Sequence, residues 1–198
     1  GGSHAALTLG VAGTLHIGGV SQQSQNALAA QFAKAHSLSK EISEDQEIAL
    51  VSIVGGEKDN AIPRMCEAKF VVEDSARAVA TVEALDQSIR ENLVDEDKEL
   101  KISLTVENDV EEISTLVQSD KLIEMLNNVQ VGVLSMSAHL EGLVEFSRNL
   151  GVIDVTEKGA YITYSSRSAK EEQIDLSIAQ VNSNAEILGA NVRHTGRY

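Results

Sequence analysis

The stretch that most constrains the fold is GGEKDNAIPRMCEAKF, Gly55 to Phe70. It joins an apolar strand pattern at 48–54 to an alternating one, in which Cys66, Ala68, Phe70 and Val72 point one way and Glu67, Lys69 and Glu73 the other. The paired glycines allow backbone angles that a side chain would forbid. Pro63, the only proline in the chain, fixes its own φ and pushes Ile62 into an extended conformation. The connection is therefore shaped, and it presents Asn60, whose amide both donates and accepts, between a Gly-Gly bend and a rigid Ile-Pro step. Asn60 is a candidate ligand contact or the closing residue of an Asx turn, and spacing alone leaves both open.

Around this stretch the chain reads as alternating elements. Residues 6–15 have a strand pattern with Leu7, Leu9 and Val11 on one face, and Leu28, Phe32 and Ala35 mark a helix ending near His36. From Asp74-Ser75 a second helix carries Val79, Val82, Leu85, Ile89 and Leu93. The acidic run 95–99 is a solvated loop, and 100–106 alternates as a half-buried strand. The order is β-α-β-β-α-β. Beyond a polar joint at 108–114, Ser119 is expected to cap a helix, with strands at 131–136, 142–155 and 160–166 and a turn at Thr156–Gly159. Ser168 and Glu171 are spaced as a capping box for a last helix, which Gly189 stops, and Asn191 to Thr195 is expected to close the sheet. The fold class expected is α+β: a two-layer α/β sandwich with a mainly antiparallel sheet, helices on one face, split βαβ (ferredoxin-like) units and two similar halves, 6–107 and 108–198. Residues 1–5 read as a tag remnant, and both ends read as cut from a longer protein.

A net charge of −14, without a basic run or an aromatic stacking set, argues against nucleic acid as a partner. No apolar run reaches the roughly 20 residues that span a bilayer, so no membrane association is expected. The single cysteine, Cys66, excludes an internal disulfide, fits a reducing cytoplasm and reads as a small core residue. His4, His36, His139 and His194 form no metal-ligand spacing, there is no GxSxG, and GTLHIGG lacks the order of a phosphate-binding loop. Two positions remain beside Asn60. Arg167 lies where a strand ends and the last helix begins, as a carboxylate site or as a surface partner of Glu171 or Glu172. His16 lies at a Gly-rich strand-to-helix bend, as a presented imidazole or a structural loop histidine.

GGEKDNAIPRMCEA, VLSMSAHLEGLVEFSRNLGVI, YSSRSA and GANVRHTGRY, in that order, resemble the lid domain of the aminoacyl-histidine dipeptidases, the cytosolic non-specific dipeptidases (peptidase D) of the M20 metallopeptidase clan. The resemblance runs from about residue 6 to residue 198. It implies a cytoplasmic lid and dimerisation domain of a zinc-dependent hydrolase of Xaa-His dipeptides. The zinc ligands and general base would belong to a separate catalytic domain, absent from this chain, so that the domain alone would be inactive. The partners implied are the dipeptide substrate, the catalytic domain and a second copy in a homodimer. The resemblance gives Asn60 a substrate contact, from the family's NAIP motif, and Arg167 the grip on the α-carboxylate. His16 would polarise the scissile carbonyl across the dimer, although LHIGGVSQQSQNA keeps Asn26-Ala27 without the family's HSG context. Ser147 and Asn149 match a family stretch and are read as structural. Two readings from other classes stay open: a stand-alone ferredoxin-like regulatory or assembly module, and a self-sufficient enzyme with an unfamiliar site.

Overall fold

The computed structural model describes residues 11–18, 48–61, 63, 65–91, 101–107 and 115–196. Within them the order is β1 (Val11–Gly18), β2 (Ile48–Gly55), β3 (Cys66–Val72), α1 (Ser75–Glu91), β4 (Lys101–Glu107), α2 (Ser119–Asn128), β5 (Gly132–Met136), β6 (Val144–Thr156), β7 (Gly159–Ser168) and α3 (Glu171–Ile187). The expected tag, the start of the first strand, the helix ending near His36 with Asn26-Ala27, the loop at 95–99, Leu93 and the joint at 108–114 lie outside the described residues, as do Ile62, Arg64 and the last two residues. No described helix is long and apolar enough to cross a membrane.

The fold is α+β, with every strand pairing antiparallel in one sheet of order β4-β1-β3-β2-β6-β5, and with β7 also paired to β6. Alternation decides the two faces. Leu50 pairs with Phe70 and Ile53 with Ala68, while Ile153 pairs with Ile162 across the β6–β7 hairpin; these inner residues meet Ala78 and Val82 of α1 and Leu122, Ile123, Met125 and Leu126 of α2 in one core. Leu50 and Ile153 are fully inaccessible, and burying a side chain of this size contributes about 1.5–3 kcal/mol. Asp74 caps α1, its Oδ1 accepting from the Arg77 backbone N–H at 2.9 Å. Asp86 then ties α1 to β4 by accepting from Ile102 N at 3.1 Å.

β6 is shared by three strands. Its residues 153–155 pair with β2, residues 144–148 with β5 on the same edge, and 146–156 with β7 on the other. Leu50 stands upstream of the β2–β6 pairing, and there its backbone is satisfied from elsewhere: Leu116 N donates to Leu50 O at 2.6 Å, and Leu50 N donates to Ser119 Oγ at 2.8 Å.

Ser119 is therefore not the cap expected of it. Its hydroxyl donates to Leu116 O at 2.7 Å and joins the loop to β2, while Gln118 holds the N-cap position without a side-chain bond. The capping box of Ser168 and Glu171 is not formed either. Lys170 is the N-cap, and Ser168 Oγ accepts from Lys170 N at 2.9 Å and meets Gln173 Oε1. The expected closing strand at 191–195 is irregular and exposed. Gly189, at φ 64°, turns the chain, and His194 Nε2 lies 2.9 Å from Asn182 Oδ1, so the segment folds back toward α3 and away from the sheet.

Under α3 lies a buried cation. Arg148, only 2% exposed, donates to Ser177 Oγ at 3.0 and 2.9 Å, to Gln180 Oε1 at 2.7 Å and to Gln130 O at 2.8 Å. Its partners are neutral oxygens, and the ring of Phe146 lies 5.9 Å away. The Tyr164 hydroxyl is buried with no hydrogen-bond partner among the described residues, and burial pushes its pKa up. Arg148→Ala strands several acceptors and is expected to lower stability by about 2–4 kcal/mol in urea unfolding. Tyr164→Phe removes an unsatisfied hydroxyl and is expected to be neutral, or stabilising by up to about 1 kcal/mol.

Candidate functional site

On the face of β6–β7 opposite Arg148, register and alternation set a row of polar residues. Ser147 lies opposite Arg167, and Asn149 lies opposite Ser165. Ser147, Asn149 and Ser165 are half-buried and Arg167 is exposed. Among the described residues no ion pair joins Arg167 to Glu171 or Glu172, and its cross-strand and diagonal neighbours include Ser147 and Asn149. A guanidinium in that setting keeps its planar fork for a carboxylate or another anion.

The loop carrying Asn60 reaches the same surface because of how β2 ends. Past the Gly55–Ile153 pair the chain continues beside β6, into the interval between the residues paired to β2 and those paired to β5. Gly56, at φ 76°, makes the entry, and a Cβ there would overlap the Gly151 carbonyl oxygen. Gly151 is the extra residue of a bulge between the Leu150–Tyr164 and Val152–Thr163 pairs. A Cβ on it would lie 2.6 Å from Asp59 Cα. Beside this contact, Asn149 Nδ2 donates to Ala61 O at 2.8 Å and reaches Asp59 O at 3.4 Å. Asn60, exposed, sits between those two residues. Arg167 stands one diagonal cross-strand step from Asn149, about 7–8 Å between Cα atoms. Asn60 and Arg167 thus belong to neighbouring parts of one surface.

No family model matches the chain. The cytosol non-specific dipeptidase of Escherichia coli (strain K12) is 27% identical over 190 residues, which is 94% of this chain and 37% of that protein. The crystal structure of aminoacylhistidine dipeptidase from Vibrio alginolyticus matches with a TM-score of 0.82 at 19% identity, covering 100% of this chain and 43% of that one. Over nearly its whole length the chain is similar to a part of these two dipeptidases. It spans less than half the length of either protein.

In this domain His16 is not at a bend. It lies inside β1, opposite Glu67 on β3 and Ser103 on β4, because the apolar pairs of Ile17 with Cys66 and Ile102 carry the strand to Gly18. Following the register, His16 aligns with Glu67, Val54 and Asp154, so three strand spacings, about 14 Å, separate it from β6. Asn149 lies a further five residues along β6, roughly 16 Å. One copy does not bring His16 to Arg167. A cleft of about 610 Å³ between α1 and β4, lined by Val82, Asp86, Arg90 and Ile102 among others, shares no residue with the Asn60–Arg167 surface.

Among the described residues no group of three or more His, Cys, Asp or Glu side chains is placed to hold a metal ion. The donor set of a zinc site is therefore not formed by the described part of this chain. The contact of Asn149 has one signal in the sequence, Gly151 inside a strand pattern. Cys66 faces the core, where burial pushes its thiol up to about 12 and Glu67 adds to the shift. It therefore stays a thiol at neutral pH. In native protein at pH 8, Cys66 is expected to resist alkylation by iodoacetamide and to react fully once urea unfolds the chain.

Proposed function

We propose that this domain is the substrate-binding lid of a cytosolic zinc-dependent dipeptidase, and that it also pairs two copies of the enzyme. The observation that carries the reading is Arg167, free of any carboxylate partner among the described residues, on a hydroxyl-lined face beside the braced Asn60 loop. A dipeptide presents a terminal carboxylate, which the guanidinium can take in two parallel charge-assisted bonds. Asn60 then supplies an amide to the adjoining peptide group. Zinc supplies Lewis-acid chemistry from a catalytic domain outside these residues, a division supported by the share of the two related proteins that this chain spans.

Two further parts of the reading concern assembly. The strand order β4-β1-β3-β2, with α1 between β3 and β4, supports a split βαβ, ferredoxin-like first unit. His16 polarises the scissile carbonyl at the site of a second copy, since its own Arg167 is out of reach. Exposed Met136, Leu140 and Leu143, gathered where Ser137 N donates to Leu143 O at 2.8 Å, support a contact between copies.

In the full-length enzyme, Arg167→Ala is expected to lower kcat/KM about 10–100-fold for dipeptides with a free carboxylate, the value of one charge-assisted contact, and less than about threefold for C-terminally amidated ones. Equal losses on both would remove the carboxylate role. The 198-residue domain alone is expected to retain no stoichiometric zinc after dialysis and to hydrolyse no dipeptide. Robust turnover by metal-treated, protease-free domain would overturn the lid reading.

A further inference from the structure

We infer that Asn149 is the positioning residue that fixes Asn60 relative to Arg167, an inference that rests on the reading of those two as substrate contacts. A loop tip is ordinarily the most mobile part of a fold, and a misplacement of about 1 Å can cost as much as 10²-fold in rate. The Asn60 loop has two devices against this. One is the backbone packing of Gly56 and Asp59 against Gly151. The other is the Asn149 amide, which puts both N–H bonds of one nitrogen toward the carbonyls on either side of Asn60, at 2.8 and 3.4 Å.

Asn149 is itself held. Its neighbour Arg148 is locked beneath the sheet by Ser177, Gln180 and Gln130, and Leu150 is buried in the core. The opposite strand places Ser165 across from Asn149 and Arg167 one diagonal step away. A single strand position therefore sets the spacing between the residue that takes the carboxylate and the residue that takes the peptide group. The chemistry requires a primary amide of this length. Aspartate has the same shape, but at neutral pH it only accepts, and it would face two carbonyl oxygens.

The test has two arms. In the 198-residue domain, ¹⁵N relaxation is expected to show the order parameters of Asp59, Asn60 and Ala61 falling in Asn149→Asp from rigid values of about 0.85 to below about 0.6, with β6 and β7 unchanged. Gly151→Ala, which leaves the amide in place but crowds Asp59, is expected to disturb the same three residues. In the full-length enzyme, Asn149→Asp is expected to lower kcat/KM about 10–100-fold equally for free and amidated dipeptides, unlike Arg167→Ala. In an Asn60→Ala background it is expected to cost less than about threefold more. An unchanged loop in both variants would overturn the positioning role alone, as would fully additive losses. A loosened loop with unaltered kinetics would instead overturn Asn60 as a substrate contact, and the inference with it.

Discussion

The site depends on a place where two backbones touch without side chains between them. Gly56 and Gly151 let the loop after β2 lie directly on the bulge of β6, an approach that a Cβ on either residue would block. The contact is possible because β6 leaves β5 after Arg148 and takes up β2 only at Ile153, which leaves a short interval of its edge for the loop. Lengthening either pairing by a few residues would displace the loop, and Asn60 would lose its place beside the β6–β7 surface. Sheet register and site geometry are one constraint here.

Alternation along β6 and β7 then separates two cations by function. Arg148 points inward, loses its water and is compensated by neutral acceptors under α3; burial lowers its pKa, yet a guanidinium keeps its charge. Arg167, on the other face of the same hairpin, keeps its water and its donors. A shift of register by one residue would exchange the two roles, since each residue on a strand faces opposite to the next. The buried network resists that slip, because Arg148 on the outer face would leave Ser177 and Gln180 without their donor.

The strand periods, the helix at 75–91 and the β6–β7 hairpin were legible in the sequence, because each rests on local alternation or on a three-to-four spacing. Arg167 and Asn60 were legible as polar residues at shaped ends of apolar segments. The failures share a cause. Ser119 and Ser168 have the local chemistry of helix caps, but other partners take their hydroxyls: Leu50 N, distant in sequence, for one, and Lys170 N with the Gln173 side chain for the other. The segment after Gly189 has a strand-like composition, yet a bond from His194 to Asn182 turns it toward the helix. Asn149 lies 88 residues from the carbonyl that it holds most closely, a separation that no window of sequence reports.

The surroundings of Arg167 also bear on what it can select. The chain has 30 acidic and 16 basic residues, so the mean field repels anions at long range. A free carboxylate gains from Arg167 only within contact distance, where a bidentate geometry outweighs a screened background. Polyanionic ligands feel that background once for each charge and gain the same single contact. A ligand with one terminal carboxylate and an uncharged peptide group beside it is therefore the one that this face favours, and the favour rests on a guanidinium in no ion pair among the described residues, the nearby Glu145 of β6 being held by Lys170 at 2.9 Å. An aspartate at Ser147 or Ser165 would satisfy Arg167 internally and abolish that preference without altering the fold, which is why hydroxyls, neutral and short, are the neighbours the chemistry requires.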